Sequence, residues 1–217
     1  MEYPGNPLHA DTLAFREYAT KEPLPLSEIQ QAVLNFLRDR EDVVVFGAQA
    51  VNAYTGAPRM TQDIDLLALD ASELAEALRE YLYSRFCIAV RIRRVAQGRG
   101  LRLEQVREEG NRHLVDIRGV EHLPPSRSVA QVLVPEPATL IAQKVIAYQR
   151  RRGKPKAGTD WRDIALLLLA FPELKQKGGS VLEQLSASGA SPEVVALWHK
   201  IVATPIKPDE EDEEFWL

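Results

Sequence analysis

The sequence predicts an α+β fold, a small mixed β-sheet with helices on one side followed by a C-terminal helical region. Three observations carry that reading. The runs VVVF at 43–46 and TQDIDLLAL at 61–69 are each followed by a segment of helical character. Two alternating segments, 101–106 and 112–118, flank the turn EEGN, the pattern of an antiparallel hairpin. Beyond Pro135 and Pro137 the apolar spacing turns helical. With 217 residues and 45% hydrophobic content, the chain can bury one sizeable core or a core with a smaller helical partner.

Residues 1–26, punctuated by Pro4, Pro7, Pro23 and Pro25, read as an extended arm without the apolar run of a secretory signal. Ser27 and Gln30 suggest a capping box for a helix whose Ile29, Val33, Phe36 and Leu37 share a face. After the 43–46 strand, AQAVNAYT predicts a short helix closed by Gly56 and Pro58. Asp70 and Glu73 cap the next helix, with Leu74, Leu78, Tyr81 and Leu82 inward, and 88–95 alternates as a strand. A boundary near 134 separates a sheet domain, 27–134, from a helical one, 135–204. The helices expected there are 138–151, 160–171 with Thr159 or Asp160 as cap, and one opened by Ser191-Pro192-Glu193. Residues 205–217 read as a disordered acidic tail.

Net charge is −4, but six consecutive acids at 209–214 leave the rest of the chain net basic. Nine arginines between Arg85 and Arg118 face four acids, and RRRGKPK fills 150–156. Such clusters attract phosphates, or simply solvate a surface. The single cysteine, Cys87, excludes an internal disulfide and suits a reducing, cytoplasmic compartment. The longest apolar stretch, Ile164 to Phe171, is far too short to span a bilayer.

The chemistry concentrates in GAQAVNAYTGAPRMTQDIDLLAL, 47–69. On a strand, residues i and i+2 share a face, so Asp63 and Asp65 would project together while Ile64 packs behind. Paired carboxylates repel unless a cation or a proton lies between them, and a hard divalent ion such as Mg2+ takes oxygen ligands. The preceding glycine turn and short helix would aim N–H groups at an anion, with Arg59 offering a phosphate fork and Thr61 a hydroxyl. Asp116, between Val115 and Ile117 on an expected strand, supplies a third carboxylate, enough for two metal ions. An Asp-x-Asp alone is also common as a pair of solvated or capping acids. His113 and His122 show no metal-ligand spacing and read as surface residues.

Gly47…Gly56…Arg59-Met-Thr61-Gln-Asp63-Ile-Asp65-Leu resembles the signature of the DNA-polymerase-β-like nucleotidyltransferase superfamily, and most nearly its AbiEii-type group, which includes toxins of type IV toxin–antitoxin systems. Residues 140–168 are similar to that group's second block, a lysine-bearing helix, a basic loop and an Arg/Asp-rich helix start. The resemblance covers roughly 43–171. It implies a Mg2+-dependent enzyme, two ions in all, moving a nucleoside monophosphate from an NTP to an acceptor hydroxyl. It also implies Asp63, Asp65 and Asp116 as metal ligands, Gly47, Ala48, Arg59 and Thr61 around the nucleotide, and Lys144 on its phosphates. Asp163 becomes a base or an organiser of the site. Where the family usually has Gly-Gly or Gly-Ser, this chain has Gly47-Ala48, which keeps the backbone N–H but brings no hydroxyl. The group suggests an RNA acceptor, such as the tRNA 3′ end, and a cognate antitoxin as partner. A small hydroxyl acceptor of aminoglycoside type, or a non-catalytic RNA-binding module on the same fold, are the alternatives. From the residues themselves, Lys144 could equally lie on the exposed face of its helix, and Asp160 and Asp163 could be helix caps.

Overall fold

The computed structural model describes residues 24–55, 61–108 and 110–208. Most of the N-terminal arm, the stretch carrying Gly56, Pro58 and Arg59, and residues 209–217 of the acidic tail lie outside these residues. The chain divides into two compact units, one formed by described residues 24–49 and 61–135, the other by 50–55 and 136–208.

The first unit opens with α1, Leu26–Phe36. Its N-cap is Pro25 and Ser27 already lies in the first turn, so the expected capping box is absent. Gln30 instead donates through Nε2 to the Thr61 carbonyl, at 3.0 Å. Strand β1, Val43–Phe46, runs straight into α2, Gly47–Tyr54. Then come β2, Ile64–Ala68, and α3, Ala71–Phe86, where Asp70 does cap, accepting from the N–H groups of Ser72 and Glu73. Strands β3, Val90–Val95, β4, Gly100–Gln105, and β5, Arg112–Gly119, complete a sheet of order β1-β2-β5-β4-β3. The β2–β5 pairing is parallel and the others antiparallel, the mixed sheet expected.

Alternation assigns the two faces. Ile64, Leu66, Leu103, Val115 and Ile117 are buried, and α3 lies over that side, with Leu74, Leu78 and Leu82 also buried. Gly119 marks the contact: a Cβ there would stand 3.6 Å from the Ala71 Cβ of α3. A second hairpin, β6, Ser126–Val129, and β7, Val132–Pro135, lies against β1 and was not foreseen from the sequence. Its two turn residues, Ala130 and Gln131, both have positive φ, 48° and 67°. That conformation is normally signalled by Asn-Gly or Asp-Gly, and neither is present.

The second unit is helical: α4, Pro137–Arg150; α5, Lys156–Ala170; α6, Ser180–Ala187; and α7, Pro192–Ala203. Helix α5 starts at Lys156, so neither Thr159 nor Asp160 caps it, contrary to expectation. The short α6 was also unforeseen. Among the described residues, no helix is long and apolar enough to cross a membrane.

Candidate active site

The face of the sheet opposite α3 carries one polar row. Phe46 pairs with Asp65, Asp65 with Asp116, Asp116 with Arg102, and Arg102 with Arg93, each on the next strand. Directly paired residues share a face, so both aspartates and both arginines line one side of the sheet. Asp63 stands one residue before β2, two residues from Asp65 along the chain and so beside this row.

Asp65 explains Gly47. Gly47 has φ +70°, a region costly for side chains with a Cβ, and a Cβ there would collide with Asp65 Oδ2. The turn from β1 into α2 therefore closes directly onto the carboxylate. Thr61 is held at Oγ1 by Gln49 Nε2, at 2.8 Å, so its hydroxyl already serves to fix the segment entering β2. Ala48 lies in the first turn of α2, and Arg59 is outside the described residues.

His113 stands between two of the acids. Its Nδ1 lies 3.2 Å from Asp63 Oδ2 and its Nε2 3.0 Å from Asp116 Oδ1, with the ring partly buried. The surface position expected for it is thus corrected. On a regular strand, residues three apart point to opposite faces. The β4–β5 ladder shifts register here: Leu103 pairs with Val115, but Glu104 pairs with His113. Leu114 is the extra residue of a β-bulge, and the bulge brings His113 onto the face of Asp116.

Arg102 completes the cluster. Its Nε donates to Asp116 Oδ1 at 2.8 Å and its Nη2 to Oδ2 at 2.9 Å, a two-pronged charge-assisted pair. Burial alone would raise the Asp116 pKa. The hydrogen bonds and charges of His113 and Arg102 outweigh it and hold the carboxyl well below the usual carboxylate range. The Arg102 pKa is raised in turn, chiefly by its bond to Asp116. Neither His113 nor Arg102 is marked as functional by the sequence. For Arg102 the hairpin signal is there, but its pairing with Asp116 depends on the bulge. Farther out on the same face, Arg93 pairs with Glu104 at 3.0 Å.

Asp63, His113 and Asp116 each offer a ligand atom, and these atoms all lie within 4.8 Å of one another, a spacing that suits a shared cation. Asp65 enters the row through its register with Asp116 and its contact with Gly47.

In the second unit, Lys144 is buried and not on an exposed helix face. Its Nζ donates to Asp163 Oδ2 at 2.6 Å, and Asp163 is completely buried. Asp160, also buried, accepts two hydrogen bonds from Arg151 Nη1, at 2.8 and 2.9 Å. One arginine of the basic loop is thus engaged inside the unit.

Residues 31–210 match the family described as nucleotidyl transferase AbiEii toxin, type IV TA system. The chain belongs to the AbiEii family. It is a nucleotidyltransferase, and the two sequence blocks that resembled that family both fall inside the matched range. Among solved structures, the Megavirus polyadenylate synthase superposes with a TM-score of 0.57 at 13% identity, covering 68% of this chain and 32% of that one. This chain therefore spans about a third of that protein's length. The JHP933 protein of Helicobacter pylori superposes with a TM-score of 0.51 at 10% identity, covering 82% of this chain and 88% of that one. At such identities these likenesses establish the shared nucleotidyltransferase fold of the AbiEii chain. No curated protein matches its sequence.

Proposed function

We propose that this AbiEii-family chain transfers a nucleoside monophosphate from an NTP to a hydroxyl of RNA, such as a tRNA 3′ end. In this reading it works in the cytoplasm as a toxin restrained by a cognate antitoxin. The observation that carries the reading is the register of β2 and β5, which sets Asp65 opposite Asp116, with Asp63 and Asp116 flanking one imidazole. The carboxylates of Asp63 and Asp116, each with a ligand atom within 4.8 Å of the other and of His113, offer the oxygen donors that a hard divalent ion takes.

Asp63, Asp65 and Asp116 would hold Mg2+, and the donor set fits, since ligand atoms of Asp63, His113 and Asp116 already lie within 4.8 Å of one another. The bound metal would neutralise triphosphate oxygens and polarise the reacting phosphorus. The residues supply position and charge. Gly47 lets the start of α2 close onto Asp65, and Gln30 and Gln49 hold Thr61 at the entry to β2. Arg102 fixes the rotamer of Asp116 by gripping both its oxygens. The acceptor hydroxyl oxygen attacks the α-phosphorus and its proton passes to solvent, while the bond from the α-phosphorus to the α,β-bridging oxygen breaks and pyrophosphate leaves with that electron pair. Such transfer depends mainly on positioning and charge stabilisation. Arg91 and Arg93, exposed on the same face, favour a polyanionic acceptor over a cationic drug.

The test is incubation with each labelled nucleoside triphosphate, Mg2+ and total RNA, followed by a denaturing gel. Label should enter a discrete RNA band with the wild type and not with Asp63→Ala. Label on a small hydroxyl compound and none on RNA would replace the RNA reading. No transfer to any acceptor would support a non-catalytic module.

A further inference from the structure

Building on the metal-site reading above, we propose that His113 is itself a metal ligand and that its nitrogen gives the site a preference for Mn2+ over Mg2+. Three observations support this. The β-bulge at Leu114 brings His113 onto the acidic face, where a regular strand would have turned it into the core. Both ring nitrogens sit against carboxylate oxygens, at 3.2 and 3.0 Å. One ligand atom from each of Asp63, His113 and Asp116 lies within 4.8 Å of the other two. Ligands about 2.1 Å from a metal in octahedral geometry are spaced about 3.0 Å along each edge. A divalent ion can therefore sit between one ring nitrogen and its carboxylate oxygen with little movement of the side chains. The other N–H stays on the remaining carboxylate, the support that metal-bound histidines usually have.

The ligand set then decides the metal. Mg2+ takes oxygen ligands and gives up water reluctantly. A nitrogen donor shifts preference toward the first-row transition ions, and among these Mn2+ is hard enough to keep carboxylate and triphosphate oxygens as ligands. Arg102 keeps its grip on both oxygens of Asp116 and holds that carboxylate in place beside the imidazole.

The test is electron paramagnetic resonance of the full chain titrated with Mn2+ alone, then with Mg2+ as competitor. Bound Mn2+ should show spin-echo modulation from a directly coordinated nitrogen nucleus, and this signal needs no variant. His113→Gln should lose the modulation and weaken Mn2+ binding at least about tenfold, while Mg2+ binding changes by less than about threefold. Thermal melting checks that the variant is folded. Bound Mn2+ without nitrogen modulation, or equal Mn2+ affinity in His113→Gln, would overturn the inference. Asp63→Asn separates the two levels. If it abolishes Mn2+ binding while the wild type lacks the nitrogen signal, the carboxylate site stands and the role of His113 falls. If Mn2+ binds equally well to Asp63→Asn, the site itself is misplaced, and the inference falls with it.

Discussion

His113 and Asp116 lie three residues apart on one strand, yet the Nε2 of one is 3.0 Å from the Oδ1 of the other. The unpaired Leu114 between them makes this possible, because it flips the alternation of β5 by one step. The same shift sets Arg102, and not a neighbour, opposite Asp116. One local irregularity therefore assembles a histidine, an arginine and a carboxylate beside Asp63.

Loss of either early acid should be decisive. Asp63→Ala and Asp65→Ala should each lower transfer by on the order of a hundredfold or more, since metal charge stabilisation supplies several kcal/mol and about 1.4 kcal/mol is a factor of ten. Labelled-nucleotide assays at saturating Mg2+ measure it, with circular dichroism to show the fold intact. Near-wild-type transfer in either variant would remove that residue from the site.

The Arg102–Asp116 pair should make stability depend on pH in a definite direction. The folded pKa of Asp116 is lowered, so its stabilisation is fully present above the unfolded value of about 3.9 and is lost as pH falls through the folded one. In chelator, Arg102→Met should cost about 1–3 kcal/mol at neutral pH. The gap from wild type should narrow in strong acid, where the carboxyl is protonated in both proteins. Urea denaturation at the two pH values reads it, and a gap that widens in acid would contradict the assignment.

Gly47→Ala should act on both stability and site. A Cβ at φ +70° costs about 1–2 kcal/mol and would also push the Asp65 carboxylate from its place. A lowered melting temperature with reduced transfer is the expected result. Unchanged transfer would mean that Asp65 tolerates the displacement.

Lys144 and Asp163 form a pair inside the helical unit, with Lys144 nearly and Asp163 wholly shielded from solvent. Lys144→Met should cost about 3–5 kcal/mol by leaving a buried carboxylate without that lysine. Lys144→Met combined with Asp163→Leu should recover much of the loss. Thermal and chemical denaturation of the three proteins would show it. A stable single variant would free the lysine for the phosphate role that the family resemblance implies.

For RNA, the charges to neutralise are Arg150, Arg152 and Lys154, all exposed, and not Arg151, which grips Asp160. Their triple replacement by glutamine should reduce the salt dependence of RNA affinity by about two in slope, at about 0.7–0.9 for each phosphate no longer neutralised. Binding titrations across a salt series decide it, and an unchanged slope would favour a small-molecule acceptor.

The sequence by itself determined what local periodicity and spacing can encode. The strand at 43–46, the Asp70 cap of α3, the β4–β5 hairpin and the long helices were legible because each depends on residues a few positions apart. So were Asp63, Asp65 and Asp116 as candidates, the first two by their two-residue spacing and the third by standing between Val115 and Ile117. The tertiary structure decided the rest. The turn at Ala130-Gln131 carries no glycine or asparagine to announce it. Asp160 and Asp163 look like caps until α5 is seen to begin a turn earlier, which turns both inward to basic partners. His113 reads as a surface residue because it shows no metal-ligand spacing in the sequence, and a regular strand would set it on the face opposite Asp116. The register shift at Leu103 and Glu104 is a property of two strands pairing, and no single strand's pattern contains it.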